Sequence, residues 1–316
     1  MWRSRESRFD VASAISQGKR DYQEDSLVTD FPHGADFGFA VLADGMGGHA
    51  AGDTASKIIV TEVFSELKFQ SNDLKNTEAN MQKILREAAT FANSCIEAYV
   101  AENPDTKGMG ATLVAPVILE NRLFWISIGD SPLFLFRKGI LTQLNEDHSM
   151  APQIDLMVRS GLMDEETGRD HPDRNCLTSV LIGGKVAQID CPEAPTELMT
   201  GDIIVVASDG LQFLDNDRIE RILTKSRKKR SAEIAEILLE MIERLGDPDQ
   251  DNVSFTVIKV NHTNQTSIDS ELPVAVARDE EKERLAKIVV EEELAMADTA
   301  ASKGGRVTAY IPERSA

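Results

Sequence analysis

Three cysteines are few for 316 residues, and none of Cys95, Cys176 and Cys191 forms a C-x-x-C pair. An odd, scattered set argues against a disulfide framework or a thiolate zinc site, and each is expected to be a small buried hydrophobe. None opens a C-x5-R loop, which excludes cysteinyl-phosphate chemistry, and there is no Walker A lysine. Basic residues are also short: 34 Lys and Arg against 53 Asp and Glu give a formal net charge of −19. A broad grip on nucleic acid or on an anionic lipid surface needs the opposite balance, so neither is an expected partner. No run of eighteen apolar residues occurs, and Met1–Asp10 is polar and charged. Neither a membrane span nor a secretory signal is read, and the expected location is cytoplasmic.

What is present is enough apolar sequence for one large domain, since 41% of the residues are hydrophobic. From Phe9 to Val260 short apolar runs alternate with amphipathic stretches, without repeats or low-complexity segments. Apolar and β-rich runs predict strands over Phe37–Ala43, Ala111–Leu119, Leu123–Ile128, Leu133–Arg137, Lys185–Asp190, Ile203–Ala207 and Ser254–Val260. The short turns at Glu120–Arg122 and Lys138-Gly139 suit antiparallel hairpins better than βαβ crossovers. Helices are predicted over Ala51–Leu67, Thr77–Ala101, Ala151–Ser160, Asp217–Thr224 and Ser231–Leu245. In the second, apolar residues from Met81 through Ile84, Ala88, Ala92 and Ile96 to Tyr99 recur at three- and four-residue steps, one stripe that must pack on something. Sheets with covering helices follow, an α+β fold spanning 1–260. Residues 261–316 read as a polar linker and a charged tail, in which Arg278–Ala297 is either helical or a fraying, unpacked segment.

Asp25, Asp44, Asp130, Asp209 and Asp251 each stand near the start or end of an apolar, strand-like run. Singly, such an aspartate reads as a turn former. Together, carboxylates gathered near a core repel one another and are costly to desolvate without a cation. Oxygen donors with no thiolate or histidine cluster favour Mg²⁺ or Mn²⁺ over zinc. Glycine follows Asp44 and Asp209 and precedes Asp130, and a missing Cβ lets backbone approach a metal or its waters closely. Asp-Gly is also a common turn.

Two segments, Arg20-Asp21-Tyr22-Gln23-Glu24-Asp25 and Asp44-Gly45-Met46-Gly47-Gly48-His49, resemble the opening motifs of the PPM (protein phosphatase 2C-like) family. Gly108–Leu113, Gly129-Asp130-Ser131, Asn145–Ser149, Ser208-Asp209-Gly210-Leu211 and Asp251-Asn252-Val253-Ser254 are similar to later motifs in the same order. The resemblance spans Phe9–Val260. It implies a four-layer α-β-β-α sandwich with a central pair of mainly antiparallel sheets, a helical flap at about 148–176, and a dinuclear metal site at one edge. By the same resemblance Asp44 bridges two Mn²⁺ or Mg²⁺ ions, Asp209 and Asp251 complete the first site, and the Gly45 carbonyl binds the second. Glu24 and Asp25 hold waters, and Asp130 with Asp209 makes a weaker third site, unless Asp130 is only a turn carboxylate. Asp44, Asp209 and Arg20 are then the catalytic set. The cations activate a bridging water for in-line attack on phosphoserine or phosphothreonine, and the planar fork of Arg20 binds the phosphate. Phosphorylated proteins are the implied substrates, a serine/threonine kinase the implied counterpart, and a monomer the expected state.

Two departures matter. Met46 stands where animal members carry histidine, matching the bacterial-like pattern and excluding a histidine general acid there; a metal-bound water oriented by Asp130, Glu24 or Asp25 is the expected proton donor. Pro132 replaces an arginine common in the Gly-Asp-Ser turn. His148 and His171 are expected to be structural, the apolar flap residues Ile154, Leu156, Met157, Val158 and Leu162 to pack, and Arg227–Arg230 to be a solvated loop or helix end. Gly45–Ala50 also satisfies the dinucleotide pattern G-x-G-x-x-A, but Asp44 would repel a pyrophosphate and hairpins do not build a parallel sheet. Asp247–Asp251 lacks the glycine and terminal glutamate of a calcium loop. The remaining alternative is a binding or regulatory module that keeps the phosphatase fold without turnover.

Overall fold

The computed structural model describes residues 7–47, 50–71 and 74–262. The tail, including the helix weighed over Arg278–Ala297, lies outside them. One five-stranded sheet has the order β1 (Phe9–Ser16), β12 (Val253–Val260), β11 (Ile203–Ala207), β8 (Leu133–Arg137), β9 (Ile140–Gln143). The other runs β10 (Thr196–Glu197), β7 (Arg122–Ile128), β6 (Leu113–Leu119), β3 (Phe37–Ala43), β2 (Ser26–Asp30). Every pairing is antiparallel, including the small ladder between β4 (Gly45–Met46) and β5 (Gly110–Ala111).

The strands read as unbroken apolar runs because both faces of each sheet are covered. Side chains alternate across a strand: Ala40 and Leu42 of β3 enter the layer between the sheets with Ile204 and Val206 of β11. Phe39, Val41 and Ala43 turn the other way, onto α1 (Ala50–Gln70) and α3 (Met81–Glu102). Ile203, Val205 and Ala207 likewise turn outward onto α6 (Asn216–Ser226) and α7 (Ser231–Glu243). The result is the expected α-β-β-α order, with three apolar layers. The apolar stripe of α3 packs as predicted, burying Met81, Ile84, Leu85, Ala88, Ala92 and Ile96.

Several expectations are corrected. Lys185–Asp190 is not a strand: the backbone N and O of Gln188 bond to the Ser179 hydroxyl at 3.0 and 2.7 Å, and only Asp190 bridges to Ser127 of β7. The helix predicted over Thr77–Ala101 is two, α2 (Leu74–Ala79) and α3, interrupted at Asn80 with φ −119° and ψ 13°. Ala111–Leu119 divides at Thr112 because β5 pairs with β4 while β6 pairs with β3 and β7. Of the cysteines only Cys191 is buried, and Cys176 is exposed. In the flap, α4 (Ala151–Arg159) packs chiefly on the short α5 (Glu165–Arg169), which covers one of its faces. Ile154 is therefore buried while Leu156, Met157 and Leu162 are 50, 40 and 83% exposed, against the expectation that all would pack. Arg227–Arg230 is an exposed turn between α6 and α7, as read from its charge.

Candidate metal centre

Five pieces of chain meet at one edge of the sandwich. β3 delivers Asp44 at its end, β7 runs into Gly129-Asp130, β11 into Ser208-Asp209, and Asp251 precedes β12; the loop between β1 and β2 carries Arg20 to Asp25. Hydrogen bonds from buried polar side chains lock the pieces together. Asp44 N donates to Thr112 Oγ1 at 3.0 Å, Thr112 N returns a bond to Asp44 O at 2.9 Å, and the Thr112 hydroxyl meets that of Ser131 at 2.7 Å. Asn252 does the same for the first motif. Its Oδ1 accepts from Glu24 N at 2.7 Å, and its Nδ2 donates to Gln17 O and Tyr22 O, both at 2.9 Å. Ser208 Oγ donates to Asp25 Oδ2 at 2.9 Å. Gly45 N donates to Glu24 O at 3.2 Å. A Cβ at Gly45 would stand 2.2 Å from Gly52 O, so only glycine lets the first turn of α1 come this close.

The carboxyl groups sense one another. Burial, then the fields of Asp25, Asp209, Asp130 and Asp251, hold Asp44 well above the ordinary carboxylate range. Asp25, 5% exposed, is pushed up to about 7 by burial and by Asp209 and Asp251, against the pull of the Ser208 hydroxyl. Asp130 rises to about 7 through burial, Asp209 and Asp147. Asp209 is raised by burial and Asp251, with the neighbouring Asp44 carboxyl, Arg20 and the Gly210 N–H drawing it back. Asp25 Oδ1 and Asp209 Oδ1 are buried without a hydrogen-bond partner, a state that costs stability unless a proton or cation completes it. Among the described residues no three His, Cys, Asp or Glu side chains are already spaced to enclose an ion. The mutual coupling and the orphaned oxygens mark the cluster instead, and an all-oxygen donor set fits a hard divalent cation.

Arg20 is exposed and donates through Nη2 to Asp251 Oδ2 at 2.5 Å, so the expected phosphate binder is paired with an expected ligand. Every predicted site residue, Arg20, Glu24, Asp25, Asp44, Gly45, Asp130, Asp209 and Asp251, falls on this edge. Thr112, Ser208 and Asn252 stand inside the motifs, yet nothing in the sequence marks them as the residues that fasten the site; their partners lie up to 235 positions away, which no local pattern reveals. His148 is buried at the base of the flap, and His171 Nδ1 accepts from Asp173 N at 3.2 Å within its own turn. His49 lies outside the described residues.

Residues 13–253 match the family described as protein phosphatase 2C. The serine/threonine protein phosphatase PstP of Mycobacterium tuberculosis is 35% identical over 223 residues, which is 69% of this chain and 40% of that protein. The chain thus spans less than half the length of that relative. The serine/threonine phosphatase stp of Listeria monocytogenes is 30% identical over 227 residues, 71% of this chain and 85% of that one. Among solved structures, the Mycobacterium tuberculosis phosphatase PstP/Ppp superposes with a TM-score of 0.67 at 32% identity, covering 80% of this chain and 99% of its own. The catalytic domain of PstP in complex with two manganese ions gives 0.62 at 31% identity, with the same coverages of 80% and 99%.

Proposed function

The chain belongs to the protein phosphatase 2C family, and on that premise we propose that it removes phosphate from phosphoserine and phosphothreonine in proteins at the aspartate cluster. The observation that carries this reading is the pair of buried, unpartnered oxygens on Asp25 and Asp209, set among aspartates whose acidity is suppressed together. Such oxygens suit two hard divalent cations, and the manganese-bound PstP domain supports Mn²⁺ or Mg²⁺. When bound, the ions supply Lewis-acid charge to the phosphoryl oxygens and to the attacking water.

The chain's own part is to hold and orient. Asp44 would help to hold both ions, Asp209 and Asp251 would complete the hold on the first, and the Gly45 carbonyl would serve the second. Glu24 and Asp25 orient waters, and Asp130 with Asp209 would hold a third ion more weakly. Arg20 presents two parallel donors to the phosphate as it exchanges Asp251 for the substrate. The departing alkoxide takes its proton from a water oriented by Asp130, Glu24 or Asp25, since Met46 carries none to give.

Phosphorylated proteins are the substrates of this reading, and the kinase that makes them is its counterpart. Among the described residues no helix is long and apolar enough to cross a membrane. We assign the reaction to a cytoplasmic monomer whose catalytic unit is residues 1–260, with 261–316 appended. A phosphothreonine-peptide assay on the full chain and on one ending at Asn264 tests the activity, its metal dependence and the extent of the catalytic unit. Turnover by both with Mn²⁺ or Mg²⁺, and loss of it on chelation, is expected. Undiminished turnover after metal stripping, or none with either ion, would overturn the reading.

A further inference from the structure

One buried imidazole joins pieces that the metal cluster leaves separate. His148 is 2% exposed and stands where the chain leaves the sandwich for the flap, next to Ser149, which makes an isolated bridge to Leu177 where the chain returns. Its backbone N donates to Gly129 O at 3.1 Å, and its carbonyl accepts from Thr178 N at 2.7 Å. Its side chain closes the ring, because Gly129 N donates to Nδ1 at 3.2 Å. One residue therefore holds both backbone polar groups of Gly129 and fastens both ends of the flap to the same point.

Gly129 has φ +105° and turns the chain into Asp130. It cannot carry a side chain to steady itself, since a Cβ there would lie 2.5 Å from the Thr112 methyl. An accepting Nδ1 fixes the tautomer, with the proton on Nε2. That nitrogen is buried and without a hydrogen-bond partner, its near carboxylate being Glu146 Oε2 at 4.0 Å. Asp147 and Asp190 also bear on the ring, and Asp190 Oδ2 secures the approach to the flap by accepting from Glu146 N at 2.9 Å. An apolar side chain would fill the volume without stranding Nε2, so what the imidazole adds is the acceptor offered to Gly129.

We propose that His148 is a positioning residue that, through Nδ1, holds the Gly129–Asp130 turn in register with the base of the flap, so that the placement of Asp130 depends on how the flap is seated. Its consequence for metal binding rests on the reading of Asp130 given above; the positioning itself does not. Two substitutions in the full chain carry opposite expectations. His148→Asn keeps an acceptor where Nδ1 stands, and His148→Leu removes it while keeping bulk. Hydrogen–deuterium exchange of the peptide containing Gly129, and Mn²⁺ binding by calorimetry, are measured for both beside the unsubstituted protein and Asp130→Ala. His148→Leu should speed exchange at Gly129 and weaken the weakest Mn²⁺ event about 10-fold or more, the size expected for a residue supporting a ligand, with tighter events within about 3-fold. His148→Asn should restore both. Asp130→Ala should lose the weakest event without faster exchange at Gly129. Unchanged exchange in His148→Leu, or His148→Asn as damaged as His148→Leu, would overturn the proposal. If Asp130→Ala retains every Mn²⁺ event, the reading of Asp130 fails and exchange alone decides the role of His148. Should His148→Leu not fold, His148→Gln takes its place, with its acceptor where Nε2 stood; parity of Gln with Asn would sink the idea.

Discussion

β11 has an aspartate at each end, and the two are treated in opposite ways. Asp202, just before the strand, is 2% exposed and fully answered: Arg137 reaches Oδ1 through Nε at 3.0 Å and Oδ2 through Nη2 at 2.6 Å, and Met199 N reaches Oδ2 at 2.7 Å. Asp209, just after the strand, has a buried Oδ1 with no partner, and like charges beside it. A carboxylate that serves the fold is completed by the chain's own cation and N–H groups. A carboxylate that the fold leaves incomplete, among others of its sign, is kept for something the chain does not contain.

The largest expected effect separates the two ends by function. Asp209→Asn and Asp44→Asn should each lower phosphopeptide turnover by more than the roughly 10–100-fold that losing a residue which merely supports a metal ligand costs. In EDTA the same Asp209→Asn protein should resist urea better, its unfolding free energy higher by about 1 kcal/mol, because a desolvated like charge is gone. Near-normal turnover in either variant would remove the contrast altogether.

The second effect is on stability and belongs to the other end. Asp202→Ala leaves Arg137 without its partner, and a loss of about 2–3 kcal/mol is expected, below the usual range for a broken buried pair because the Arg137 side chain is 27% exposed. Turnover per folded molecule should be unchanged. Urea unfolding together with an active-site titration checks both halves, and an Asp202 variant that is stable but inactive would reverse the assignment.

The smallest effect adds pH. Burial lowers the His148 pKa below its ordinary 6.5, against the raising fields of Glu146, Asp190 and Asp147. The unfolded imidazole then binds a proton before the folded one does, so this contribution is present above pH 6.5 and is lost as pH falls from there through the folded value. The raised carboxyls of Asp25 and Asp130 act with the opposite sign, gaining protons first in the fold. Comparing His148→Asn with the unsubstituted protein isolates the histidine. The variant's urea midpoint should gain on the parent's between pH 7.5 and 5, and a pH-independent gap would show that the ring carries no such penalty.

The end of β11 that carries Asp209 was legible in the sequence and the end that carries Asp202 was not. Asp209 announces itself through the apolar run before it, the glycine after it and its recurrence with Asp44, Asp130 and Asp251 in similar settings. Asp202 follows Gly201 as any turn aspartate does, and Arg137 is 65 positions away. The covered central strands were likewise plain, because burial on both faces writes a run of seven buried residues, all apolar but for Gly38, into β3. The edge strands β1, β2 and β9, part-exposed for most of their length, carry no such run. Lys185–Asp190 misled for a related reason: its apolar residues pack against the core from an irregular segment whose hydrogen bonds go to a side chain.

β1 pairs with β12 along its whole length, Phe9 against Val260 and Ser16 against Val253, and the same junction sets Arg20 on Asp251 and Asn252 under Glu24. These partners stand at opposite ends of the folded domain's sequence. Until the last strand has been synthesised, the first has no neighbour on that side, the arginine lacks its carboxylate, and the opening motif lacks the asparagine that shapes it. Sequence separations of this size favour slow folding, and here they also impose an order: on the function proposed above, a nascent chain that stops short of β12 is expected to lack phosphopeptide turnover, because the contact that completes the fold also assembles the site.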